Sequence, residues 1–126
     1  MRRVHFSLLM TFAGLLVGLA GCESTGSAVD VHSWRKGLES DNRMVRMEAV
    51  TLAAKAPRDE AVPALIARLG DIDDVVRAMA YQGLIDATGQ TFPFDPVADP
   101  FERRRQIAQW RTWWADQTRA DAPEAK

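Results

Sequence analysis

Cysteine is almost absent: Cys22 is the only one among 126 residues. One thiol cannot close an internal disulfide. Histidine is nearly as scarce, with only His5 and His32, and no His, Cys and carboxylate cluster has the spacing of a metal site. Neither a G-x-S-x-G elbow nor a phosphate-cradling glycine loop occurs. Asp71, Asp73 and Asp74 crowd together but lack the following Gly and distal Glu of a calcium loop. They read as turn and N-cap carboxylates favoured by a helix dipole. No stretch sustains the period-two alternation of β-branched residues that a sheet requires. The chain is therefore expected to be all-α, with no catalytic constellation, metal or cofactor.

Charge of one sign is lacking too. There are 16 basic against 17 acidic side chains. That balance gives no basic footprint for nucleic acid.

Long apolar runs are limited to the beginning. Arg2 and Arg3 precede an apolar run, "FSLLMTFAGLLVGLA", from Phe6 to Ala20, and no acidic residue occurs before Glu23. That is the basic n-region and h-region of a signal peptide. The run is shorter than the roughly 20 apolar residues of a spanning helix. It ends in Leu19-Ala20-Gly21-Cys22, which resembles the lipobox of bacterial lipoproteins. The resemblance implies cleavage after Gly21 and lipidation of Cys22, with residues 1–21 as the signal peptide. Each buried methylene contributes about 0.8 kcal/mol, and two or three acyl chains anchor a protein nearly permanently. Glu23, not Asp, follows the cysteine; in the enteric sorting rule this favours the outer membrane, with the domain facing the periplasm. Loss of residues 1–21 removes two arginines, leaving 14 basic against 17 acidic side chains. Residues 22–30 read as the lipidated cysteine and a flexible polar tether.

From about Val31 the pattern is helical and repeats itself. An offset of 31 residues pairs Leu38 with Leu69, Val45 with Val76, Arg46 with Arg77, Ala49 with Ala80 and Ala56 with Ala87. It also pairs Trp34 with Leu65 and Asn42 with Asp73. Each unit reads as a helical hairpin. The first runs from about Val31 to Glu39, then from near Asn42 to a stop before Pro57. The second starts with Asp59 as N-cap and Pro63 in the first turn, and ends at Gly70. Asp73 then caps a helix that stops at Gly89.

Residues 71–89, "DIDDVVRAMAYQGLIDATG", resemble the HEAT repeat, in the short form found in phycobilisome-lyase relatives. The family's turn Asp followed by V-R-x-x-A matches Asp73, Val76, Arg77 and Ala80 here. The first unit has Val45, Arg46 and Ala49, with Asn42 in place of the Asp. The resemblance implies that Asp73, Arg46 and Arg77 brace stacked repeats, within a domain spanning 31–119.

Prolines at 93, 96 and 100 make residues 90–98 a non-helical loop. Asp99 is then an N-cap with Pro100 at the first helical position, and Glu102 completes a capping-box pattern. With Trp110 at zero on a helical wheel, Ile107 falls near +60°, Trp114 near +40° and Trp113 near −60°, at about 100° per residue. Three exposed Trp would present about 450–750 Å² of apolar surface, more than soluble monomers show. This face is expected to be covered, by packing on the second hairpin as a cap, since repeat arrays need special ends. The segment is similar to the terminal segment of HEAT-like proteins with a TG-x-x-F-x-Y/F-D-P loop before a W-R-x-W-W helix; here Phe94 stands at the Y/F position. A sharper reading makes Arg104, Arg105 and Trp113 a partner surface. Arg103, within the Trp arc, is expected to pair with Asp95 or Asp99. Residues 120–126 read as a disordered tail.

Together these features predict two helical hairpins of a HEAT-like α-solenoid plus a Trp-rich C-terminal capping helix. The function they suggest is a non-catalytic adaptor, held to the membrane through Cys22, that binds another envelope protein. Two alternatives stand beside it: a self-associating structural component of the envelope, or an accessory, lyase-like HEAT protein.

Overall fold

Helices begin where something takes up the first free N–H groups. In the computed structural model, which describes residues 33–122, that rule is met in two ways. Short polar side chains do it for α2 (Arg43–Ala53), α4 (Asp74–Thr88) and α5 (Pro100–Ala120). Asn42 Oδ1 accepts from Met44 N, Asp73 Oδ1 from Val75 and Val76 N, and Asp99 Oδ1 from Phe101 and Glu102 N. The second way is seen in α3 (Arg58–Arg68), which has no side-chain cap and starts after Pro57. The Pro57 carbonyl accepts from Glu60 N and Ala61 N. Asp59, expected as the cap, therefore lies inside the first turn, where its charge suits the helix dipole. The short α1 (Ser33–Leu38) precedes these helices. The signal peptide, Cys22, the 22–30 tether and the tail beyond Ala122 lie outside the described residues.

The ends of the helices follow from equally local causes. Gly89, at φ 71°, is the one described residue with a left-handed backbone, and its N–H donates to Ile85 O at 2.7 Å. A glycine there avoids the Cβ penalty of that conformation. Gly70 has no such role: α3 closes with Leu69 in right-handed geometry. Pro63 sits in the second turn of α3, not the first. Asp59, whose carbonyl loses its donor to the proline, is exposed, so water can replace the bond. The Asp99 box is half formed. Glu102 does not reach back to the cap, but its carboxylate accepts from Arg105 and Gln106.

All regular structure among the described residues is helical. Helix α1 packs on α2, α3 on α4, α2 on both α3 and α4, and α5 on α3. The core runs through these contacts as Trp34, Val50, Val62, Leu65, Leu69, Val76, Leu84 and Trp110. Residues paired by the 31-residue offset share environments: Leu38 and Leu69 are buried, as are Ala49 and Ala80. Val45, 39% exposed, departs from its counterpart Val76 at 0%.

The loop of residues 90–99 folds its aromatics inward. Phe94 lies 5.5 Å from Tyr81 of α4, and Phe92 meets Trp110 edge-on at 5.1 Å. Trp113 lies 5.9 Å from both Phe92 and Trp110. Such offset and edge-to-face pairs contribute about 0.5–1.5 kcal/mol beyond their area. The covered face of α5 is narrower than its helical wheel suggests. Ile107 and Trp110 are buried, whereas Trp113 and Trp114 are half-buried beneath the Arg58 guanidinium, 5.7 and 5.3 Å from their rings.

Candidate functional site

Two arginines inside the domain organise its most polar region. Arg46 on α2 and Arg77 on α4 are both buried, at 5% and 7% exposure. Arg is placed inside only when its donors are met. Nη1 of Arg46 donates to Ser40 O at 2.8 Å and Asp41 O at 3.1 Å. Nη1 of Arg77 donates to Asp71 O at 2.7 Å. Ser40 and Asp71 are themselves one 31-residue offset apart, so the two units make the same arginine-to-turn bond.

The remaining donors reach the next segment along. Nε of Arg46 lies 3.0 Å from Oδ2 of Asp71, and Nη2 lies 3.1 Å from Oδ1. Nε of Arg77 donates to Pro96 O at 2.6 Å. The turn before α2, the turn before α4 and the loop before α5 are thereby tied side by side. Arg68 joins from α3, donating to Leu38 O at 2.7 Å and standing 3.7 Å from Asp71 Oδ2.

Asp73 pairs with neither Arg46 nor Arg77 but reaches across to α2 through Arg43. Its carboxylate caps α4 and meets the exposed Arg43 at 3.5 Å. The acid that faces Arg46 is Asp71, whose Oδ1 also accepts from Asp73 N at 2.9 Å. The reason is positional: the residue just before the first helical turn is the one whose side chain reaches the free amides. That leaves the acid two residues earlier to point inward.

Arg104, Arg105 and Trp113 are not brought together. Arg104 and Arg105 are exposed, and Arg105 pairs with Glu102 at 3.2 Å. Trp113 turns toward Phe92 and Trp110. Arg103 binds neither expected acid; it donates to Ala98 O at 2.6 Å. Cys22 lies outside the described residues. Asp71 is a turn carboxylate that accepts from Asp73 N, but its pairing with Arg46 is not foreseen in the sequence, and neither are the contacts of Arg68 and Arg58. The one available signal for Asp71 was its register opposite Ser40, which carries no charge.

The guanidinium groups of Arg46 and Arg77 are engaged by carbonyls and a carboxylate, an arrangement that fixes segments in place. No group of three or more His, Cys, Asp or Glu that could hold a metal occurs among the described residues. No described helix is long and apolar enough to cross a membrane. Several shallow grooves open on the described surface, among them one of about 250 Å³ beside Arg46, Arg68 and Asp71, one of about 660 Å³ along Lys36, Asp41 and Val45, and two between helices. One, of about 420 Å³, lies between α2 and α4 over Val50, Ala54, Met79 and Gly83. The other, of about 410 Å³, lies between α3 and α5 over Ile66, Arg111 and Trp114. No protein-family model, curated protein or solved structure matches the chain.

Proposed function

We propose that this chain is a lipid-anchored protein of the bacterial envelope whose helical domain binds another envelope protein and catalyses nothing itself. In this reading the domain is a short HEAT-like solenoid. Helices α1–α2 and α3–α4 are its hairpins, and α5 is its cap. The observation that carries the reading is the repeated bond from Arg46 to Ser40 O and from Arg77 to Asp71 O, one register apart. Such repetition supports a stack of like units, and stacked helices offer extended binding surfaces. The anchor rests on the basic start, the apolar run and the Leu19–Cys22 motif. With Cys22 acylated, the domain faces the periplasm, and Glu23 favours the outer membrane. Nucleic acid is no partner of a domain with this charge.

The test is crosslinking in cells with the intact protein, against Cys22→Ala lacking the anchor. Recovery of one envelope protein with the anchored form alone is the expected result. Recovery of nothing but the chain itself overturns the adaptor reading.

A second reading has its own observation. Val45 is 39% exposed where its counterpart Val76 is fully covered, so the outer side of α1–α2 is open to a second copy. Sedimentation of residues 23–126 decides: a strict monomer at tens of micromolar removes self-association.

A further inference from the structure

The ladder of Arg46 and Arg77 has a consequence at the surface. It lines up the starts of α2, α4 and α5 along one edge, because the turns before them are bonded to one another. Arg43 to Asp73 across two helices, and Arg103 to Ala98 O within the last, add to the alignment.

Large apolar side chains stand out along this edge: Met44 (63% exposed), Ile72 (88%), Val75 (38%), Val97 (70%) and Phe101 (66%). Among the described residues, these and Val45 are the exposed large hydrophobics. Single exposed apolar residues are ordinary. Five along one edge, with Met44 and Val75 at equivalent positions of the 31-residue repeat, form a row, and rows of this kind mark interaction surfaces.

The charges around the row say what would cover it. Asp41, Asp74, Asp95 and Asp99 are exposed beside it. Asp95 and Asp99 use Oδ1 for backbone amides, which leaves Oδ2 for an outside donor. Of the edge's cations, Arg43 faces Asp73, and Arg103 and Arg104 stand near Asp99, with Arg103 donating to Ala98 O; the exposed acids outside these contacts are Asp41, Asp74 and Asp95. An acidic rim of this kind repels an anionic bilayer and attracts a cationic chain. The bonded turns also hold the row in place before any partner arrives, which lowers the ordering cost of binding.

We propose that this edge docks a segment of the partner protein in which aliphatic side chains alternate with Lys or Arg. The inference rests on the adaptor reading and assigns its binding surface.

The experiment uses the full, lipidated chain in cells, with p-benzoylphenylalanine placed at Ile72, at Val97, or at Gln82 beside the α2–α4 groove as a control. Crosslinked peptides are identified by mass spectrometry. The expected result is one partner segment, captured from both Ile72 and Val97 and carrying net positive charge among aliphatic residues. Asp41→Asn with Asp74→Asn should lower the yield from Val97 about fivefold, the effect of losing roughly 1 kcal/mol from two exposed charge pairs. Pulse proteolysis checks that this variant stays folded. Capture from Gln82 alone overturns the edge and leaves the adaptor reading standing. Capture of lipid, or of an uncharged or acidic segment, also overturns the edge. Capture of a second copy, or of nothing from any position, overturns both.

Discussion

Asp71→Ala removes the carboxylate that faces the buried Arg46 and the half-buried Arg68. Its side chain is 2% exposed and that of Arg46 is 6% exposed. The carboxylate accepts from Arg46 Nε and Nη2 and from Asp73 N, and it lies 3.7 Å from Arg68 Nη1. Breaking a buried pair from one side costs about 3–5 kcal/mol, because the other charge stays buried without a partner. The two sides are unequal here. Arg46→Ala leaves Asp71 with Arg68 and the Asp73 amide, and the Ser40 and Asp41 carbonyls it frees lie near the surface, where water can replace the donor, so its cost belongs near the lower figure, about 3 kcal/mol. Asp71→Ala leaves Arg46 with the Ser40 and Asp41 carbonyls but no counter-charge, and deprives Arg68, so it belongs near the upper figure, about 5 kcal/mol. A domain of this size has about 5–15 kcal/mol in total, so the variant stands close to unfolding. Asp71→Asn keeps an acceptor at Oδ1 and should fall between wild type and Asp71→Ala. Urea unfolding of residues 23–126, followed by circular dichroism, gives each value. The double variant Arg46→Ala/Asp71→Ala should cost less than the summed singles by about 1–3 kcal/mol, the coupling of contacting residues. If both single variants lie within about 0.5 kcal/mol of wild type, the ordinary surface value, the ladder does not hold the turns together. An Arg46→Ala cost above that of Asp71→Ala would refute the assignment of Asp71 as the hub.

Three further outcomes can be checked on the same fragment. Arg77→Ala removes donors to Asp71 O and Pro96 O; it should cost about 3–6 kcal/mol at about 1.5–3 per charged bond, and speed hydrogen exchange in residues 90–99 above all. Gly37→Ala places a methyl 2.9 Å from the Ala49 Cβ, which cannot rotate away, so α1 must shift off α2. The overpacking cost of about 1–3 kcal/mol should exceed the gain of about 1 kcal/mol in helix propensity, and a lowered melting temperature is expected. The Asp99 carboxyl is held below its ordinary range by the Glu102 N–H first and the Phe101 N–H next, with desolvation opposing and Arg103 and Arg104 assisting. A lowered folded value means its contribution is complete above the unfolded pKa of about 3.9 and is lost as pH falls through the folded value. An NMR titration of Asp99 should show a midpoint below that reference, and Asp99→Asn should flatten the acid limb of the stability curve.

Helix starts were legible wherever a side chain makes the cap. Asn42, Asp73 and Asp99 each precede a periodic apolar run, and each accepts amide hydrogens in the structure. The start of α3 was not, because the Pro57 carbonyl does the work there, and a backbone group leaves no mark in sequence. The Trp face of α5 was legible as a face but not in its width. Phe92 and Phe94 arrive from a loop, and helical periodicity says nothing about where a loop folds back.

The polar site divides in the same way. Arg46 and Arg77 drew notice because each recurs one offset apart, and a charge repeated in register points to a repeated bond. Their partners could not be read, since partnership is decided by geometry between segments. Of the nearby acids Asp71 and Asp73, the helix start claims the second for its amides, which leaves the first for Arg46. Arg77 has no equivalent acid and takes the Pro96 carbonyl instead, which draws the loop against α4. Val45 and Val76 make the same point for apolar residues. The two are identical in sequence and pattern, yet one is 39% exposed and the other fully covered. What separates them is which neighbour the domain sets against each. The edge of Met44, Ile72, Val75, Val97 and Phe101 was unreadable for that reason: its members come from three segments that the arginine bonds and the packing of α2 on α4 place side by side.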